Sequence, residues 1–440
     1  MTVQPEIQTR SAALYERAKQ VLPGGVSRNT VLRLPHPIYV SHAKGCRVVD
    51  VEGITRIDLA NNMASLIHGH AHPVVTQAVI AQLQRGSAFS LGTEVEVTYA
   101  EHLSSRNKGF EKLRFVNSGT EAVMAALKAA RAYTGRAKIA KVEGAYHGGY
   151  DYAEVSQTST PANWGRDDNP ASVPVAYGTP VKALEDVVVI PFNNPDRARA
   201  ILDRHSSELA CVLVDLMPHR VGLNRANPDF VEMLREWTHA HEALLVFDEV
   251  ITFRSQYGGA QEWYDVEPDI TALGKIIGGG FPVGALAGSS EIMEVMNPLA
   301  SNVRFPHSGT FSANPVTMSA GLAAMRLFDR DAVHRVNELA TRARFGIEEV
   351  ISKVGAKACV TGDGSMLRLH MKSELPTNYR QAFSSLGENR RLGFMLDHLF
   401  DSGFIMINTG AFTVSTAITE NEIDALIEAV EIGFRRLAAA

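Results

Sequence analysis

Apolar positions along this chain change period several times, and each change predicts a different element. Between Gln8 and Leu22 the residues Leu14, Ala18, Val21 and Leu22 recur at helical spacing, and Pro23-Gly24-Gly25 ends the pattern. Short β-type runs follow at Pro37–Val40, Arg47–Val51 and Arg56–Leu59, with turn chemistry from Asp50 to Gly53, and these predict a small antiparallel sheet. Beyond His68-Gly69-His70, helical patterns alternate with unbroken apolar runs at Leu113–Val116, Lys138–Val142, Val187–Ile190, Cys211–Val214 and Leu244–Phe247. Strands apolar at every position have no solvent face, so the prediction is a mainly parallel α/β sheet covered on both sides. From Gly321 onward, helical patterns at Val333–Val350 and Arg391–Phe400 surround strands at Met366–His370 and Phe412–Ser415, which predicts a second, α+β unit. The stretch from Asp151 to Asp186 is rich in Ser, Thr, Pro, Asn and Gly and lacks periodicity. It reads either as a lid or contact segment or as a mobile surface insertion.

At 440 residues the chain exceeds what one hydrophobic core usually serves. The expected organisation is an N-terminal segment (1–70) contributing to a small domain, a large domain (71–320) and a C-terminal small domain (321–440). A formal charge of −5 gives no electrostatic case for nucleic acid or an anionic membrane. Cys46, Cys211 and Cys359 have no metal-like spacing and form no disulfide framework, so a reducing, cytoplasmic setting is expected. The start of the chain lacks a basic and apolar leader, and no apolar run approaches the ~20 residues a bilayer span requires.

The chemistry concentrates at Lys275 and Asp248. Lys275 lies in Leu273-Gly-Lys-Ile-Ile-Gly-Gly-Gly280, among apolar neighbours and glycines that let backbone pass close to a bulky group, and Asp248 closes the run Ala243-Leu-Leu-Val-Phe-Asp248. A lysine amine condenses with an aldehyde to a Schiff base, and an aspartate under a pyridine nitrogen keeps that nitrogen protonated, so the pair predicts pyridoxal 5′-phosphate (PLP). Ser118-Gly119-Thr120, where a strand gives way to a helix, is the candidate phosphate cradle, because free N–H groups at a helix start favour an anion. Tyr146 and His147 follow the strand Lys138–Val142, where open α/β sheets place ligands. Tyr146 is read as an aromatic stacked on the cofactor ring, and His147 either as a structural histidine or as a partner of Asp248. Val250 is placed to pack on the ring face, and Thr310 is a further candidate phosphate donor.

Together these segments resemble the class III aminotransferases, fold type I PLP enzymes, and particularly the branch of glutamate-1-semialdehyde aminomutase and the β-amino-acid aminotransferases. The resemblance runs from Leu22-Pro-Gly-Gly-Val-Ser-Arg28 through Asn117–Glu121, Ala145–Gly149, Asp248-Glu-Val250, Gly258-Gly-Ala-Gln261 and Leu273–Gly280 to Gly309-Thr310. It implies a large domain with a mainly parallel sheet and a smaller α+β domain built from both termini. It also implies Lys275 as the Schiff-base lysine, Asp248 as partner of the ring nitrogen, Tyr146 as the stacking aromatic and Ser118 to Thr120 as the phosphate loop. Thr310 would reach the phosphate of a neighbouring subunit, so a homodimer is implied. Arg28 matches the position that binds substrate carboxylate in this branch, a role suited to its bidentate fork, with a surface arginine as the alternative.

Two departures bear on the subfamily. Where the aminomutases carry an acid near the C-terminus, this chain reads Asn408-Thr-Gly-Ala-Phe412, and where many class III members have Glu-Pro it reads Asp215-Leu216-Met217-Pro218-His219-Arg220. The expected activity is therefore transfer of an amino group from an amino carboxylate, a β-amino acid or near relative, to a keto acid. An intramolecular aminomutase and a non-catalytic PLP-sensing module are the rivals. Arg220, Arg254 and Arg304 are further candidate anchors.

Overall fold

A computed structural model describes residues 9–439. Its centre is a seven-stranded sheet in the order Lys112–Val116, Gly284–Gly288, Ile270–Gly274, Leu244–Asp248, Leu209–Val214, Lys138–Val142, Val187–Ile190. All neighbours run parallel except Gly284–Gly288, which is antiparallel to both strands it pairs with. Within Leu244–Asp248 alternate residues enter opposite cores: Leu245 and Phe247 join Phe230 and Trp237 on one face, Leu244 and Val246 join Ala126 and Ala130 on the other. Both faces are dry, which is why the strands lack polar alternation.

Two of the seven strands escape the pattern reading. Gly284-Ala-Leu-Ala-Gly288 is made of residues with poor strand preference, yet it fits because helix Gly119–Thr134 packs directly on it. A Cβ at position 284 would stand 2.1 Å from Ser118 O, so only glycine admits that approach. The first helix, read as starting at Gln8, has that residue outside the described range. It runs Arg10–Ala18, capped by the Thr9 side chain. The first strand begins at Val40 rather than Pro37, which has no N–H for a ladder.

The segments flanking the large sheet interlock. Strands Val40–Lys44, Arg47–Asp50 and Thr55–Asp58 form an antiparallel set whose edge pairs in parallel with Phe404–Ile405. Cys359–Thr361, Met366–His370 and Ala411–Thr413 make a second small sheet. The stretch 151–186 is more structured than its composition suggests, with helices Asp151–Glu154 and Val181–Glu185 and a small hairpin. Arg380 pins it, donating to the carbonyls of Trp164 and Gly165 while gripping both oxygens of buried Glu143 at 2.9 and 3.0 Å. Among the described residues no helix is long and apolar enough to cross a membrane.

Candidate active site

Register brings the chemistry to one edge of the sheet. Asp248 pairs with Ala272, so Lys275, three residues further on, leaves its strand at the same carboxyl edge. Lys275 opens the turn Lys275–Gly278 with a φ of +48°, a left-handed conformation that a side-chain-bearing residue adopts only when its surroundings enforce it. They do so here: Tyr99 OH donates to Ile277 O, and helix Pro315–Leu327 presses so close that a Cβ at Gly321 would lie 2.3 Å from that carbonyl. Burial lowers the Lys275 pKa, opposed by the negative charges of Asp248 and Asp215.

Asp248 is buried and both its oxygens are held. Oδ2 meets His147 Nδ1 at 2.7 Å and Oδ1 accepts from Val250 N at 3.0 Å. His147 is itself buried, and burial pushes its pKa down despite the carboxylate beside it. Its Nε2 finds no partner among the described residues. The loop that carries it is tied down by buried Lys141, whose Nζ donates to Ala145 O at 2.9 Å and Val155 O at 2.6 Å.

Asp215 is the residue that sequence reasoning missed as part of this group. It follows strand Leu209–Val214 as Asp248 ends its own, on the neighbouring strand, and that repeated acid after an apolar run was the available signal. Burial, with the Asp248 charge second, pushes its carboxyl well above the usual range. Glu249 is also buried but structural: it accepts from Ala260 N, Gln261 N and Gln261 Nε2, which accounts for the Gly258-Gly-Ala-Gln261 motif.

The loop Ser118-Gly119-Thr120 meets the same centre through Val250. Ser118 caps helix Gly119–Thr134, and a Cβ on Gly119 would sit 2.7 Å from Val250 Cγ1. Gly274 abuts the same pair, a Cβ there lying 3.1 Å from Val250 Cγ1 and 3.4 Å from Gly119 Cα. Lys275, Asp248, His147, Val250 and the helix start are thus one neighbourhood. Tyr146 is half exposed, with the Arg220 guanidinium 5.7 Å from its ring centre. Arg28 and Thr310 are both exposed, and among the described residues neither hydrogen-bonds to this group. Arg28 donates to Asn62 Oδ1 at 2.7 Å instead.

Of the other candidate anchors, Arg254 is sealed from solvent, donating to Ser365 Oγ, Ala64 O and Val414 O, which makes it a clamp rather than a substrate contact. Arg304 lies over Tyr133, at the far end of the helix that begins at Gly119.

A parallel sheet with one reversed strand, with a lysine and a buried aspartate at its carboxyl edge and a capped helix start alongside, is the architecture of a fold type I PLP enzyme. The model of the aminotransferase class-III family matches residues 30–432, and the chain belongs to that PLP-dependent family. A glutamate-1-semialdehyde 2,1-aminomutase of Methanothermobacter thermautotrophicus is 40% identical over 377 residues, covering 86% of this chain and 87% of that protein. Among solved structures, an omega-transaminase from Sphaerobacter thermophilus superposes with a TM-score of 0.95 at 44% identity over 99% of each chain. A β-phenylalanine aminotransferase from Variovorax paradoxus gives 0.85 at 30% identity, covering 98% of this chain and 94% of that one.

Proposed function

We propose that this enzyme is an aminotransferase that moves an amino group between an amino carboxylate, a β-amino acid or near relative, and a keto acid. The observation that carries the reading is the state of Arg28: its guanidinium is exposed and held at 2.7 Å by the neutral amide of Asn62, so its charge stays available to a substrate carboxylate. Likeness to the omega-transaminase and to the β-phenylalanine aminotransferase supports the same reading.

The residues present fit PLP. Gly119 is flush against Val250, which leaves the helix start unobstructed by a side chain, and a Cβ on Gly148 would lie 2.4 Å from Thr120 Oγ1, so this wall too is shaped by glycine. When bound, PLP supplies an aldehyde and an electron-accepting pyridine ring. Ser118, Gly119 and Thr120 would hold its phosphate through the helix N-terminus, and Tyr146 would offer a flat face to its ring. Lys275, with its pKa lowered by burial, keeps a larger neutral fraction than a surface lysine and can take the proton from the amine-bearing carbon of the substrate and hold it at Nζ for the return half of the reaction. His147 and the Val250 amide fix both oxygens of Asp248 in advance, so it can meet a protonated ring nitrogen without rearranging. Burial and the Asp248 charge both favour the protonated form of Asp215, which eases the repulsion between the two acids.

A homodimer with the site at the interface belongs to the same proposal. Ile80, Leu83, Phe89 and Leu91 are apolar side chains left exposed within a short stretch of chain, as burial against a second copy would explain, and exposed Phe311 adjoins Thr310, the residue that the family resemblance assigns to a neighbour's phosphate.

The second reading, an aminomutase, is favoured by the curated relatives of that name. A panel of α-, β- and ω-amino donors offered with pyruvate and with 2-oxoglutarate separates the two. Acceptor-dependent turnover of β-amino acids, lost for carboxylate-bearing donors in Arg28→Ala, is expected. Turnover of an amino-aldehyde with no acceptor, and none of the β-amino acids, would instead establish the mutase. Borohydride reduction of the PLP-loaded protein should place the label on Lys275.

A further inference from the structure

Arg220 and Arg368 are two cations on neighbouring segments that meet no acid among the described residues. Arg220 lies in the turn His219–Val221, just past the strand that delivers Asp215, and Arg368 lies mid-strand in Met366–His370. The turn and the strand are knitted together. Arg368 Nη1 donates to His219 O at 2.8 Å, Arg368 Nε donates to Thr409 O at 3.2 Å, and His219 Nε2 meets Thr409 Oγ1 at 2.8 Å. Arg220 reaches the Gln157 carbonyl at 3.3 Å and otherwise stands exposed beside Tyr146. Among the described residues the acceptors of both guanidinium groups are carbonyls, and neither meets a carboxylate.

The contrast with Arg254 is informative. That residue also lacks an acid, but it has three acceptors, is closed to solvent, and serves packing. Arg220 has one acceptor and an open face. Burial, with the Arg220 charge second, pushes the Arg368 guanidinium down to about 10. Burial, followed by the charges of Arg368, Arg220 and Lys275, pushes His219 down to about 3. Arg220 adjoins the reaction centre through Tyr146, whose ring centre lies 5.7 Å from the guanidinium and whose chain neighbour His147 meets Asp248 at 2.7 Å. Thr409 falls in the stretch Asn408–Phe412, so the segment that touches the pair brings no carboxylate of its own.

A concentrated positive charge beside a reaction centre is stabilised when a ligand supplies the missing anion. We propose that Arg220, supported by Arg368, is a second carboxylate subsite that selects short dicarboxylic keto acids and their amino acids over monocarboxylates. The subsite deepens the aminotransferase reading and rests on it, since a dicarboxylate would serve as amino acceptor or donor. One carboxylate would engage Arg220 bidentately, within reach of the Tyr146 face.

Calorimetric titration with glutarate and with butyrate tests this on the PLP-loaded protein without turnover, so the outcome is independent of the Lys275 labelling above. The parent should bind glutarate more tightly than butyrate, and Arg220→Ala should weaken glutarate by about tenfold or more. Because Arg368 is buried and its replacement risks misfolding, Thr409→Glu is the second variant. It places an acid beside the pair and should suppress glutarate binding to a similar degree. Equal affinity for the two acids in the parent, or parental glutarate affinity in both variants, overturns the subsite. Labelled Lys275 with no glutarate preference would sink the subsite alone, whereas unlabelled Lys275 would sink the aminotransferase reading.

Discussion

Val250 dictates what residue 119 can be. With a Cβ at 119 only 2.7 Å from Val250 Cγ1 and 3.1 Å from Cγ2, Gly119→Ala forces the helix start away from the strand end that carries Asp248. Such overpacking typically costs about 1–3 kcal/mol. Because the displaced groups line the proposed phosphate site, the loss should fall on cofactor binding, so spectroscopic titration of the apoprotein should show PLP affinity reduced by roughly tenfold. Adding Val250→Ala removes the obstructing methyls and should recover part of it; unchanged affinity in the single variant would refute the cradle. At this scale the sequence was informative where two features coincide: a lysine among glycines downstream of an acid closing an apolar strand has few other uses, whereas either feature alone is common. Asp215 was harder to see because the same pattern also describes a routine strand end, and only its position beside Asp248 gives it meaning. Arg254 drew attention as a charge when its burial makes it a clamp.

That clamp acts on a strained element. The turn Asn61–Ala64 holds four consecutive residues at positive φ, from +46° to +68°, with no glycine among them. Left-handed backbone costs side-chain-bearing residues roughly 1–2 kcal/mol each, somewhat less for asparagine. Repayment comes from around it: Asp58 Oδ1 accepts from Ala60 N and Asn61 N, Asn61 Nδ2 donates to Thr413 O at 2.9 Å, and Arg254 Nη1 donates to Ala64 O at 3.3 Å. The result is that Asn62 Oδ1 meets Arg28. Arg254→Met leaves buried carbonyls unpaired and should lower the unfolding free energy by about 3 kcal/mol. It should also raise KM for carboxylate-bearing donors more than for other amines; denaturant titration and donor kinetics measure the two effects. A pure stability loss with donor preference intact would show that the turn does not aim Arg28. The asparagine pair in Asn61-Asn-Met-Ala64 tolerates left-handed backbone but does not by itself predict four such residues in a row, because Met63 and Ala64 are held there by Asp58, Thr413 and Arg254, the last two distant in sequence. The buried parallel strands were legible, since continuous apolar runs have no solvent face, while Gly284–Gly288 was hidden by its small residues.

At the scale of the whole molecule, three distant stretches of chain meet at His68. The residue is buried; its Nδ1 faces Thr416 Oγ1 at 2.9 Å and its Nε2 faces Ala324 O at 2.8 Å, joining the N-terminal third to helix Pro315–Leu327 and to the segment after Ala411–Thr413. Facing a carbonyl, Nε2 carries the hydrogen, so Nδ1 accepts from the threonine and the neutral ring is fully used. Burial pushes the His68 pKa down to about 4 from 6.5. The folded state therefore refuses a proton that the unfolded chain accepts. The contribution is complete above the unfolded value of about 6.5 and is lost as pH falls from there toward the folded value, at about 1.4 kcal/mol per pH unit. By pH 5 it amounts to roughly 2 kcal/mol. Glu249 works in the opposite sense: burial raises it to about 7, so its share is present at low pH and lost as pH rises through that value. A parent curve mixes these with other buried groups such as His219 and His370, both pushed down to about 3, and the difference between parent and variant isolates one. His68→Gln keeps a donor and an acceptor but cannot titrate, so its melting temperature should fall less than the parent's between pH 7 and pH 5 by scanning calorimetry. Parallel curves would mean that His68 already accepts a proton in the folded protein, and that this three-way junction is not what acid undoes first.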